Sequence, residues 1–258
     1  MHTLKTTEVE ELSLSIVMLR LDRSLREAER QHVTEWLSEA ERARLHRMPA
    51  EVTRDEFLAT RLVARSLLAK RVGAPPRELR FVENEHGRPS LANDSSSAIA
   101  FNLSNTRGLI ACVLSDEVES GIDVEWMDRK GETVRVANRF FAPSETEELL
   151  SLDESAQRSR FFDYWTLKEA YIKAKGKGLA IPLRQFAFRF ESARGDEALD
   201  RNELIRVHFA DELEDIPSEW TFRKWTEGSH RIAWAARHRA RSVKEVVRAA
   251  SIEELLDL

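Results

Sequence analysis

An α+β fold in two halves is what this sequence predicts, and three observations predict it. Long helical stretches occur once on each side of the middle, over 53–72 and 161–179. Short apolar or alternating runs cluster beside each of them, mostly in hairpin-like succession. An acidic turn, "DEVES", separates the two groups and places a boundary near 115–121.

Taken in order, "LSIVMLRL" reads as an opening strand by its apolar content. Residues 24–48 read as helix, with Trp36, Leu37 and Leu45 on apolar positions. The helix over 53–72 stops at "GAPP", where Gly73 and two prolines break it. "ELRFVENEHGRPSL" gives a short strand and a loop. "AIAFNLS" and "GLIACVLS" form strands joined by a turn around 105–108, and "GIDVEW" is another strand. Residues 133–141 read as helix. "PSETEELLSL" starts the next, with Ser144 as N-cap and Glu147 three positions on, a capping box. The long helix over 161–179 ends at "GKG". "FAFRF", "LIRVHFA", "WTFRKW" and "RIAWAAR" follow as strands of an antiparallel sheet, and the tail "SVKEVVRAASIEELLDL" reads as helical or partly frayed.

Composition narrows the function classes. The chain has 258 residues, 42% hydrophobic and 33% charged, which suits a water-exposed protein with a real core. A net charge of −5 does not indicate a broad nucleic-acid surface. The one cysteine, Cys112, cannot form an internal disulfide and reads as a small buried hydrophobe. The first residues lack the basic, then apolar, pattern of a signal peptide, and no run is long enough to span a membrane. A cytoplasmic protein is expected. Within an acidic whole, arginines crowd 42–88 and lysines crowd 168–177, so local anion binding is expected there.

The chemistry is concentrated in "FFDYWTLKEAYIKAKGKGL". At about 100° per residue, Phe162, Trp165, Glu169 and Ile172 share a sector of roughly 80°, with Lys173 at its edge. A carboxylate on that stripe needs a cation or becomes protonated. The plainest alternative is an i,i+4 pair of Glu169 with Lys173 on a wet face, worth only about 0.3–0.5 kcal/mol. In "GIDVEW", Asp123 and Glu125 share one face of a strand, while Ile122, Val124 and Trp126 take the other. With Glu169 they make a set of three oxygen ligands with no histidine or cysteine, which suits Mg²⁺ beside a phosphate. Solvent exposure of the two strand acids is the other reading. Arg54, Arg61 and Arg65 fall within about 40° of one another on the helix over 53–72, on its apolar side. They suit a bidentate grip on phosphate, or packing of their stems against apolar surface with carboxylate partners.

These residues carry a resemblance. "GIDVEW" with "WTLKEAYIKAKGKGL" resembles the paired signature of the 4′-phosphopantetheinyl transferases, and "GRPSL…FNLSNT" resembles a third element of their larger single-chain, surfactin-synthetase-activating class. The resemblance covers most of residues 40–190. It implies a pseudo-dimer: two similar α+β halves, each a small mainly antiparallel sheet packed on a long helix. Residues 1–118 would carry the coenzyme A-binding arginines and residues 119–258 the metal and catalytic residues, with the active site in the cleft between. It implies coenzyme A as donor, Mg²⁺ or Mn²⁺ as metal, and an acyl or peptidyl carrier protein as partner, with no nucleic acid and no membrane. A carrier serine would attack the β-phosphate, and adenosine 3′,5′-bisphosphate would leave. One chain holding both halves would act as a monomer.

Carried over by position, Asp123, Glu125 and Glu169 match the metal ligands, and Glu169 would also take the serine proton. Lys168 and Lys173 match lysines near the pyrophosphate, where Lys173 would neutralise the leaving oxygen. Arg88 replaces a more usual lysine. Arg44 matches a basic residue near the 3′-phosphate, and Arg54 and Arg61 lie on the equivalent helix. Asn105 and Thr106 end the strand motif, which in the family usually reads Ser-His-Ser or Ser-His-Thr. Asparagine can donate to a phosphate oxygen but cannot become cationic, so a weaker or less pH-sensitive grip is implied, with the arginines compensating. Two other functions fit fewer residues. A catalytically impaired coenzyme A- or carrier-binding protein has Asn105 as its support. A metal-dependent nuclease would need a lysine two residues beyond "DVE", where Met127 stands.

Overall fold

The structure is a computed structural model and describes residues 11–92, 99–116, 119–192, 203–239 and 242–257. The opening strand is β1 (Glu11–Arg20), and three helices follow: α1 (Glu27–Trp36), α2 (Glu39–His46) and α3 (Glu51–Val72). The single helix expected over 24–48 is thus two. Ser38 interrupts it because its side chain accepts the Glu41 N–H (3.2 Å) while Glu41 accepts the Ser38 N–H (2.9 Å), a reciprocal cap that starts α2 afresh. α3 ends where Gly73 turns left-handed at φ 68°.

A small hairpin, β2 (Phe81–Glu83) and β3 (Pro89–Leu91), precedes the larger hairpin of β4 (Ile99–Thr106) and β5 (Leu109–Asp116). The second half begins with β6 (Ser120–Trp126), then α4 (Thr133–Phe140), α5 (Pro143–Ser151) and α6 (Glu154–Lys175). β7 (Phe186–Ser192), β8 (Glu203–Phe209), β9 (Trp220–Glu227), β10 (His230–Arg237), β11 (Ser242–Ala250) and α7 (Ile252–Leu256) complete the chain. α5 does not begin as expected. Its N-cap is Ala142, with Pro143 at the first helical position, and Glu145 rather than Glu147 reaches back, accepting the Ala142 N–H at 3.0 Å. Proline's fixed φ suits that first position, and this moves the cap two residues ahead of Ser144.

Two sheets lie face to face. One has the order β11-β1-β5-β4 and the other β6-β10-β9. Strand alternation gives each sheet two apolar faces. Leu14, Ile16, Met18, Ala111 and Val113 meet Ile122, Val124, Ile232 and Trp234 between the sheets. On the outer face of the first sheet, Val17, Leu19, Ile110 and Cys112 pack on Leu58, Leu62 and Val63 of α3. On the outer face of the second, Ala233, Ala235 and Phe222 pack on Leu167, Ala170 and Tyr171 of α6. The fold is α+β, in four layers: helix, sheet, sheet, helix.

The tail departs from its expected helix. Residues 242–250 form β11, which runs parallel to β1 from Glu11↔Ser242 to Leu19↔Ala250. α7 then packs on α3, where Ser66 donates to the Leu255 carbonyl (2.5 Å). A cut at 118–119 therefore leaves the last strand and helix of the C-terminal segment inside the N-terminal sheet. "SVKEVVRAA" alternates exposed and part-buried residues along the strand, and pairing with β1 across more than 200 residues decides its conformation.

Two joints position the site. β4 runs beside β6 without sharing a ladder; instead Ile122 N–H donates to Asn102 Oδ1 (2.9 Å) and Val124 N–H to Ser104 Oγ (3.2 Å). α6 crosses β6 at Gly121, where a Cβ would collide with the Ala170 carbonyl oxygen and the Ala174 amide. Backbone contact that close needs glycine.

Candidate active site

β6 and α6 bring the expected acids onto one patch. Strand alternation turns Gly121, Asp123 and Glu125 toward α6, and the close crossing at Gly121 lets the helix lie low over them. Asp123 is buried. Its Oδ1 accepts from Lys173 Nζ (2.6 Å) and Ser104 Oγ (3.0 Å), while its Oδ2 is buried with no hydrogen-bond partner. Lys173 also donates to Ser104 Oγ (2.9 Å). Glu125 accepts the Trp165 indole N–H (2.8 Å) and lies 3.3 Å from Arg129. Burial first, then the neighbouring Asp123, raises the Glu125 carboxyl above its ordinary value.

Glu169 is strongly perturbed. Burial is the largest cause, Asp123 and Glu125 add like-charge repulsion, Lys173 offsets part of it, and the carboxyl is pushed up to about 7. It does sit on the apolar stripe, half-buried, and the cation it needs is only partly supplied by the protein.

Lys168 lies elsewhere. Its side chain is 0% exposed, and its ammonium sits 2.8 Å from Glu145 while donating to the carbonyls of Leu183 (2.7 Å) and Phe186 (2.6 Å). The expected place at the pyrophosphate is therefore corrected. One residue before Glu169, a helix rotation of about 100° turns Lys168 from the cleft into the C-terminal core. The lysines of "KAKGKGL" also divide: Lys175 pairs with Asp215 (3.1 Å), and Lys177 is exposed. Arg88 is committed too. It donates to the carbonyls of Lys173 (2.8 Å), Ala174 and Ser120 (3.2 Å), closing the C-terminus of α6 rather than facing open space.

The N-terminal half supplies a cavity of about 770 Å³ between α2, α3, the β2–β3 hairpin and β4. Arg44, Arg61, Arg65, Arg80 and Asn105 line it. Glu41 lies 2.7 Å from Arg61 and 2.6 Å from Arg65, and Arg61 stacks over Phe57 at 4.6 Å. Arg65 also donates to the carbonyls of Pro76 (2.7 Å) and Leu79 (3.1 Å). Burial lowers the Arg61 pKa despite Glu41. Arg54 stays outside the cavity lining and donates to the carbonyls of Met48 (2.9 Å) and Pro49 (3.2 Å). Thr106 is half-buried at the end of β4, beyond that lining.

The family model for the 4′-phosphopantetheinyl transferase superfamily matches residues 119–235, and the one for the N-terminal part of a 4′-phosphopantetheinyl transferase matches residues 25–117. The 4′-phosphopantetheinyl transferase HetI of Nostoc sp. is 35% identical over 170 residues, 66% of this chain and 72% of that one. A 4′-phosphopantetheinyl transferase of Bacillus subtilis is 30% identical over 203 residues, 77% of this chain and 88% of its own. Sfp of Bacillus subtilis (strain 168) is 28% identical over 176 residues, 68% and 76%.

The chain belongs to the 4′-phosphopantetheinyl transferase superfamily. In this phosphopantetheinyl transferase, an all-carboxylate donor set fits a hard divalent cation, and the buried, unpartnered Asp123 Oδ2 marks where one would be welcome. Among the described residues, no three His, Cys, Asp or Glu side chains stand close enough to form a ready metal cage. Lys173 takes part of the cation's place, on Asp123 Oδ1. Sequence reasoning gave no role to Ser104, Glu41, Trp165 or Arg129. Ser104 lies inside the quoted strand motif, and the Ser38-x-x-Glu41 spacing was a legible capping signal. Nothing in the spacing pointed to Arg129. No helix among the described residues is long and apolar enough to cross a membrane.

Proposed function

We propose that this transferase moves 4′-phosphopantetheine from coenzyme A to a serine hydroxyl of an acyl or peptidyl carrier protein, using the Asp123–Glu125–Glu169 patch. One observation carries this reading: a half-buried Glu169 with its carboxyl near 7 stands over a buried Asp123 that keeps one oxygen unpartnered. A base poised there takes a proton near neutral pH, and a carboxylate with a vacant lone pair accepts a cation.

In the proposed step, the serine oxygen forms a bond to the β-phosphorus of coenzyme A while its proton passes to Glu169. The bond between that phosphorus and the bridging oxygen breaks, and adenosine 3′,5′-bisphosphate leaves. Phosphoryl transfer is largely a matter of positioning and charge neutralisation. Lys173, part-exposed at 26%, would turn from Asp123 toward the leaving oxygen. Asp123, Glu125 and Glu169 would hold the divalent ion, Mg²⁺ or Mn²⁺, which supplies Lewis-acid neutralisation of the diphosphate. Arg44, Arg61 and Asn105 in the cavity would hold the 3′-phosphate end of coenzyme A.

The test is incubation with coenzyme A, Mg²⁺ and apo carrier proteins of the fatty-acid, polyketide and peptide types, read by mass spectrometry. The expected result is a gain of one phosphopantetheine on the carrier serine. Absence of that gain on every carrier, with coenzyme A binding intact, would replace this reading with a binding protein.

A further inference from the structure

Two cations stand on the same sheet face as the acids and yet do not neutralise them. Arg231 of β10 is the direct cross-strand partner of Glu125, and Lys224 of β9 shares a row with Ala233 and Asp123. Directly opposed residues on one face have Cβ atoms about 4.5–5.5 Å apart, close enough for an arginine and a glutamate to pair. Arg231 goes elsewhere. Its Nη1 lies 2.8 Å from Asp163 Oδ1, and its Nη2 donates to Ser159 Oγ (2.8 Å). Lys224 Nζ lies 3.3 Å from Asp163 Oδ2, and Arg160 adds a third cation at 3.6 Å. Asp163 is buried on α6, so one acid holds both strand cations on the helix side of the sheet.

We infer that Asp163 is a positioning residue that keeps Arg231 off Glu125, the carboxylate directly opposite it, so that a divalent ion neutralises the Glu125–Asp123 pair instead. The inference rests on the metal-binding reading proposed above. Asp163 touches no reacting atom. With its charge removed, Arg231 swings to the carboxylate opposite it, and the metal must compete with a tethered guanidinium. Arg129 at Glu125 and Lys173 at Asp123 are the cations already present, and neither belongs to the Asp163 cluster.

The experiment measures Mn²⁺ affinity by electron paramagnetic resonance of the free ion, for the full chain without coenzyme A, with thermal melting recorded alongside. The expected result is that Asp163→Asn weakens Mn²⁺ binding about tenfold or more, as one added cation within about 4–6 Å requires. The double variant Asp163→Asn, Arg231→Gln returns within about threefold of wild type. Arg231→Gln alone, which tests the idea even where Asp163→Asn does not fold, leaves affinity unchanged within about twofold. Unchanged affinity in Asp163→Asn, or a double variant as weak as the single, overturns the inference. So does tighter binding in Arg231→Gln, because Arg231 would then already be competing. Wild-type protein that binds no Mn²⁺ overturns the metal reading itself and this inference with it, and the wild-type control separates that outcome from the others.

Discussion

The Lys173 ammonium lies 2.6 Å from Asp123 Oδ1, so a lysine one turn beyond Glu169 reaches across to β6. This contact makes the α6–β6 crossing an electrostatic unit in which three acids share a patch with Lys173 at Asp123 and Arg129 at Glu125. Glu169 is the acid whose carboxyl burial and its two acidic neighbours push up to about 7, and its role is testable first. Glu169→Gln is expected to lower kcat by about 10²-fold or more, the scale of losing a general base, with folding intact by circular dichroism. Near-normal turnover would remove Glu169 from the chemistry.

The pH profile carries a sign. With its carboxyl near 7, Glu169 is ionised only above that value, so kcat/KM is expected to rise with pH and level off just above neutrality. Raising the divalent-ion concentration is expected to move that limb to lower pH, because a bound cation favours the ionised carboxylate. A limb that ignores the ion would separate base from metal.

Stability follows the same group. The folded-state value lies above the ordinary 4.5, so its contribution is fully present below 4.5 and lost as pH rises toward 7. Glu169→Gln cannot ionise. Without divalent ion it is expected to be more stable than wild type at pH 8, by about 1–2 kcal/mol, and nearly equal at pH 4. Chemical denaturation at the two pH values decides it.

The arginines should separate by location. Arg44→Ala and Arg61→Ala remove cations lining the cavity and are expected to raise the KM for coenzyme A about tenfold, with smaller changes in kcat. Arg54→Ala removes a group committed to the Met48 and Pro49 carbonyls, so its KM should stay within about twofold. Equal effects at all three would mean the cavity is not the binding site.

The Lys168–Glu145 pair should act on folding before catalysis. Lys168→Met leaves a buried carboxylate without its cation and is expected to destabilise by about 3–5 kcal/mol. Replacing both by apolar residues of similar volume should recover much of that loss, measured by denaturant titration. A Lys168→Met protein of normal stability but no turnover would return Lys168 to the active site.

Strands, helices and the acids of the site were largely legible from local pattern. Apolar runs joined by a turn located β4 and β5, and period-two alternation in β6 put Asp123 and Glu125 on one face, because a pleated strand leaves no other choice. Helical spacing placed Glu169 on the apolar stripe, and glycine marked the ends of α3 and α6. Chain-local chemistry is sufficient for such features. It was not sufficient where a partner far along the chain decides. β11 looked helical because its conformation comes from pairing with β1, a contact absent from any local window. The motif lysines looked equivalent, yet Lys168 turns into a core built by Glu145 and β7, Lys173 to Asp123, and Lys175 to Asp215. A long cationic side chain reaches several ångströms in any direction, and only the packed neighbours determine which carboxylate it meets.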